Sequence, residues 1–139
     1  MTRFTTKDKF LGLTEIMRRI ASWRAMGDQI VFTNGCFDLL HLGHVSYLED
    51  ASKLGHRLVI GLNTDLSVRQ LKGEGRPIMD ENSRGLILSG FEYVDGVVLF
   101  EEETPYKLIE TIRPDVLVKG GDYELSSIVG HDLVTGYGG

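Results

Sequence analysis

The run Arg57 to Leu62, RLVIGL, is nearly continuous in apolar residues. A strand of that kind is buried on both faces, which happens in a parallel sheet covered by helices on each side. Three shorter β-rich runs share its character: Gln29 to Thr33 (QIVFT), Gly96 to Phe100 (GVVLF) and Asp115 to Lys119 (DVLVK). Helical spacing fills the intervals. Asp8 to Met26 carries Phe10, Leu13, Ile16, Met17, Ile20 and Trp23 on one stripe and stops at Gly27-Asp28. Gly43 to Leu54 places Val45, Leu48, Ala51 and Leu54 on one face, with Gly55 as its stop. Further helices are expected over Asp65 to Leu71, over Asp80 to Gly90 with Gly85 as a mild weakener, and over Pro105 to Ile112 with Thr104 as cap. Strand and helix alternate, so the expected fold is α/β: a Rossmann-like, doubly wound, mainly parallel sheet built from right-handed crossovers. At 139 residues and 42% hydrophobic content, one core suffices. Residues 1–28 read as an N-terminal helix and 29–139 as the α/β domain.

Ligands of such sheets sit beyond the carboxyl ends of the strands. Three segments follow such ends: TNGCFDLLHLGH, NTD and KGGDY. The first is the most informative. His41 and His44 are three apart at the start of a helix and so share a face, and Gly43 between them permits close approach of a ligand. A helix N-terminus attracts anions, and two imidazoles there can stabilise charge on a phosphoryl group in transfer. Rival chemistries are weaker. Asp38, His41 and His44 lack a nearby fourth residue for a zinc site, and Cys36 reads as a small buried filler. No GxGxxG or GxxxxGK[ST] is present.

The net charge of -5 and a pI near 5.3 argue against a broad nucleic-acid surface, while leaving room for a local basic pocket. A single cysteine, an N-terminus without an apolar h-region and the lack of a membrane-length apolar run make the cytoplasm the expected location and a membrane an unexpected partner.

HLGH resembles the HxGH signature of the nucleotidyltransferase superfamily, which contains cytidylyltransferases and adenylyltransferases. The longer string TNGCFDLLHLGHVSYLEDASKLG, with RPDVLVKGGDY, is similar to the adenylyltransferase domain of bacterial ADP-heptose synthesis, found alone or fused to a sugar kinase. The resemblance runs from about Gln29 to Gly139. It implies a nucleotidyltransferase that joins ATP, with Mg2+, to D-glycero-β-D-manno-heptose 1-phosphate, giving ADP-heptose and pyrophosphate for lipopolysaccharide core assembly. Two alternatives stay open: a cytidylyltransferase for glycerol 3-phosphate or phosphoethanolamine, and an inactive nucleotide-binding module.

By that resemblance His41, His44 and Lys72 are the expected catalytic residues, with Lys72 closing over the triphosphate from the loop LKGEGRP and Arg76 a weaker candidate beside it. Thr33, Gly35, Cys36, Phe37, Gly43, Arg84, Lys119, Gly120 and Asp122 are expected around the nucleotide. Asp38, Asn63 and Asp65 are assigned to the acceptor side. No metal ligand is assigned to the protein itself. The family pattern continues past the position of Gly139 with a strand and a Ser/Thr-rich helix start, so a C-terminal truncation is expected. A homodimer through the N-terminal helix, and a sugar kinase as companion, complete the expectations.

Overall fold

The computed structural model describes residues 5–120 and 127–139. Four strands, β1 (Ile30–Gly35), β2 (Arg57–Asn63), β3 (Gly96–Phe100) and β4 (Val116–Leu117), make one sheet in the order β3-β2-β1-β4. Every pairing is parallel, with Ile30 beside Arg57, Val59 beside Gly96 and Val31 beside Val116. Helices α1 (Leu13–Ala25), α2 (Leu42–Ser52), α3 (Asp65–Lys72), α4 (Glu81–Ser89), α5 (Tyr106–Ile112) and α6 (His131–Gly136) complete the chain. This is the Rossmann-like α/β architecture that the alternation dictates.

The pleat divides the core. Ile30, Phe32, Val59 and Val98 face Ile16, Ile20 and Trp23 of α1 and Leu108, Ile109 and Ile112 of α5. Val31, Leu58, Ile60, Leu62 and Val97 face Leu48 and Ala51 of α2 and Leu88 of α4. Neighbours along each strand alternate between these layers because successive side chains point to opposite faces. The chain steps from β1 to β2 to β3, then returns to the far side of β1 as β4. That reversal opens a crevice above β1 and β4, where ligands of such sheets bind.

Four local expectations are corrected. The long N-terminal helix is broken: Thr6–Lys9 is a short 3-10 turn, Phe10 bridges Val97, and α1 begins only after Gly12. The ring of Phe10 lies where a side chain on Gly85 would be, its Cζ 2.4 Å from an added Cβ. Gly85 is thus a docking notch more than a helix flaw. Thr104 does not cap α5: Pro105 occupies that position, and the Thr104 hydroxyl accepts only a long bond of 3.4 Å from the Tyr106 N–H. The β4 ladder is shorter than DVLVK, although Asp115 and Val118 continue it by bonding Ile30 and Phe32. Helix α6 has no signal in the sequence: Val134 is its one buried residue and no periodic stripe announces it.

Candidate active site

β1 delivers the chain to α2 through a tight turn in which Phe37 has φ 46 and packs its ring under Gly35. His41 is extended, at φ -141 and ψ 177, as the residue before α2. Its Nδ1 accepts the Gly43 N–H at 3.0 Å, while Nδ1 of His44 accepts the His41 N–H at 3.2 Å. This reciprocal capping arrangement is built from two imidazoles instead of a hydroxyl and a carboxylate. The two rings stand 4.1 Å apart between centroids. A Cβ at Gly43 would sit 2.8 Å from His41 Cε1, so the glycine is what lets the ring fold back over the helix start.

The chemical consequence is a tautomer. An Nδ1 that accepts a hydrogen bond carries no proton, so each neutral ring carries its proton on Nε2. Burial, then the neighbouring His41, then Lys72, push the pKa of His44 below the ordinary histidine value. At neutral pH His44 is therefore an uncharged donor, seated at the positive end of a helix.

The pair opens onto a cavity of about 990 Å3. Of the sequence-predicted residues, Gly35, Cys36, Phe37, Asp38, His41, Gly43, His44, Asn63, Lys72, Lys119 and Gly120 line it together. Thr33, Asp65 and Arg84 do not. Thr33 is fully buried, and its hydroxyl pairs with the Tyr47 hydroxyl. Asp122 lies outside the described residues.

Arg84 is the principal departure. It is fully buried and surrounded by acceptors: Met79 O at 2.9 Å, Cys36 O at 2.7 Å, Asn63 O at 2.8 Å and Asp65 Oδ1 at 2.7 Å. The guanidinium ties together the ends of β1 and β2 and the start of α4, and Asp65, which is not part of the cavity lining, is its counter-ion. A charge this deep is retained only when paired and hydrogen-bonded.

Asp38 lines the cavity but is also occupied. Its oxygens accept from Arg76 Nε at 2.6 Å, from the Ile78 N–H at 2.9 Å and 3.0 Å, and from the Met79 N–H at 3.0 Å. Burial alone would raise its pKa; the two main-chain donors and the Arg76 guanidinium outweigh it and hold the carboxyl below the usual range. Cys36 moves the other way. Burial raises its thiol, against the pull of Lys72, Arg84 and Lys119, so it stays protonated at neutral pH and is a poor nucleophile.

Several lining residues escaped sequence reasoning. Tyr47 lies three residues beyond His44 on the same helical face, a spacing that would have found it; its hydroxyl also donates to Val118 O at 3.4 Å. Phe100 ends β3, Glu103, Thr104 and Pro105 follow it, and all four line the cavity by the same strand-end rule that picked out the other segments. Ser127 to Val129 have no signal in the sequence that marks them. Among the described residues no three His, Cys, Asp or Glu side chains converge as a metal cage. No helix among them is long and apolar enough to cross a membrane.

Known proteins resemble this chain in sequence and fold. The family model described as cytidylyltransferase-like matches residues 32–135, from the middle of β1 into α6. The chain is 57% identical over 129 residues to the bifunctional protein HldE of Wolinella succinogenes, covering 93% of this chain and 27% of that protein. It is 53% identical over 136 residues to HldE of Magnetococcus marinus, covering 98% of this chain and 28% of that protein. The chain thus spans about a quarter of the length of these relatives. The crystal structure of the lipopolysaccharide core biosynthesis protein from Thermoplasma volcanium superposes with a TM-score of 0.66 at 34% identity, covering 81% of this chain and 90% of that one. With the paired histidines at the start of α2 and a match across most of its length, the chain belongs to the cytidylyltransferase-like family.

Proposed function

We propose that this protein transfers AMP from ATP to D-glycero-β-D-manno-heptose 1-phosphate, releasing pyrophosphate and ADP-heptose for lipopolysaccharide core assembly in the bacterial cytoplasm. The observation that carries the reading is the histidine cap: two imidazoles whose Nδ1 atoms accept backbone N–H groups, at a cavity also lined by Lys72 and Lys119. The resemblance of TNGCFDLLHLGH and VKGGDY to ADP-heptose-forming adenylyltransferases supports the substrates, as does the likeness to a lipopolysaccharide core biosynthesis protein.

A phosphate oxygen of the sugar attacks the α-phosphorus in line, and the bond from that phosphorus to the bridging α–β oxygen breaks as pyrophosphate leaves. His41 and His44 donate to the phosphate oxygens on which charge develops, and Lys72 offsets charge on the departing side. The nucleotide lies over β1 and β4, against Gly35, Cys36, Phe37, Gly43, Lys119 and Gly120. Asn63 and the segment after β3 face the acceptor. A protonated Cys36 fits direct transfer without a covalent intermediate. Mg2+ fits as a companion of the triphosphate: it keeps several waters and binds phosphate oxygens, so the protein need not supply a carboxylate cage. The relatives' bifunctional character supports a second activity as the companion of this domain, and the resemblance to the domain of ADP-heptose synthesis suggests that it is a sugar kinase.

The family name keeps CTP in view as the donor. Pyrophosphate release with Mg2+ is therefore measured with ATP and with CTP, each with and without heptose 1-phosphate. Release only with ATP and heptose 1-phosphate is expected. Release with CTP and glycerol 3-phosphate or phosphoethanolamine overturns the donor and the acceptor, and ATP binding without any release overturns the catalytic reading in favour of a binding module.

A further inference from the structure

Among the described residues, three lysine or arginine side chains line the cavity: Lys72, Arg76 and Lys119. Lys119 follows β4, on the side where the strand order reverses. Lys72 closes α3, and its charge is felt at both His44 and Cys36. Arg76 is placed differently. Its Nε is clamped 2.6 Å from Asp38, a carboxylate whose side chain is 2% exposed and which two main-chain N–H groups also hold. The clamp fixes the root of the guanidinium. Its two terminal amino groups have no other partner among the described residues, and the side chain remains 36% exposed.

A guanidinium anchored through Nε offers a rigid, permanently charged fork, the geometry that matches two oxygens of one phosphate. A nucleophilic phosphate needs such a holder. It must be kept within roughly 3–3.5 Å of the atom it attacks, against the repulsion of a triphosphate. Arg76 belongs to the crossover between β2 and β3, and the ends of those strands supply Asn63 and Phe100 to the same cavity. β2 and β3 lie on the side of β1 away from β4, and the Asp38 clamp holds Arg76, from that crossover, against the segment that follows β1.

We infer that Arg76 binds the phosphate of the acceptor, and that the cavity is divided into a nucleotide half above β1 and β4 and a phosphomonoester half above β2 and β3. The inference rests on the nucleotidyl-transfer reading, and Asp38 then serves as a positioning residue that aims Arg76.

The test separates acceptor from donor in the full chain. In Arg76→Gln the KM for heptose 1-phosphate rises tenfold or more, while the Kd for an ATP analogue with a methylene bridge between its α- and β-phosphates stays within twofold. Arg76→Lys, which keeps the charge and loses the fork, recovers part of the acceptor KM. An unchanged acceptor KM, or a parallel loss of analogue affinity, overturns the inference. Calorimetric titration with heptose 1-phosphate alone covers a chain that does not turn over. Binding that is present in the wild type and lost in Arg76→Gln keeps the phosphomonoester subsite even if the transfer reading fails; no binding in the wild type, or equal binding in both, overturns it.

Discussion

Two kinds of cationic or potentially cationic group stand at the strand ends and do opposite work. The imidazoles of His41 and His44 each give Nδ1 to the backbone and keep Nε2 for the cavity. Arg84 gives its guanidinium to three carbonyls and a carboxylate and does not reach the cavity surface. Both types of residue would be picked as phosphate binders. Hydrogen-bond saturation distinguishes them: a group whose donors are already satisfied inside the fold organises the site without touching a ligand.

The comparison breaks most sharply at Arg84. Replacement by Met strands three carbonyls and the Asp65 carboxylate, so a loss of about 3–5 kcal/mol of stability is expected, as for other half-removed buried pairs. Urea unfolding checks it. If stability holds while ATP affinity collapses, Arg84 belongs with the phosphate ligands and the distinction fails. Next in size is His44→Ala, for which turnover should drop on the order of 100-fold or more with the fold retained, as when one transition-state donor is removed. Pyrophosphate release read beside circular dichroism checks this, and an undiminished rate removes the histidines from the chemistry.

Gly43→Ala sharpens the same contrast. The added methyl displaces the His41 ring and breaks the cap, a loss of about 1 kcal/mol, while alanine's helix propensity returns nearly as much. Stability should therefore change by less than about 1 kcal/mol while turnover falls about tenfold, since a shift of about 1.4 kcal/mol in the barrier is one decade. Equal losses in thermal melting and in rate would show that the glycine serves the helix alone.

The smallest effect is the pH response. His44 has a folded pKa below its unfolded one, so the unfolded chain takes up the proton first as pH falls. Its contribution to stability is complete above the ordinary histidine pKa of about 6.5 and is lost on descending from there to the lowered folded value. Wild type should lose more stability between pH 7.5 and 5.5 than His44→Gln does; identical slopes would mean the imidazole is not desolvated.

Periodicity carried the sheet and both core layers, because a strand buried on two faces leaves an unbroken apolar run that no surface segment imitates. The histidine pair at a helix start was legible because both residues lie within one turn of chain, whereas their reciprocal capping was not. What failed depended on distant partners. Phe10 keeps helical spacing with Leu13 and Met17, so only its contact with Gly85 across the fold shows that it lies outside the helix. Arg84 sits in an ordinary amphipathic pattern, and its burial is decided by carbonyls contributed from residues 36, 63 and 79. The Asp38–Arg76 clamp joins residues 38 positions apart, a distance no local pattern encodes.

Phe10 has one more effect. β3 is the outer strand of the sheet, and the Phe10 bridge with the Leu11 N–H bond to Val97 O covers part of its free rim. An uncovered rim is a template on which a second molecule can add its own strand. The segment ahead of α1 is in this sense a bumper against self-association, and a protein relieved of it should remain folded yet clump as its concentration is raised.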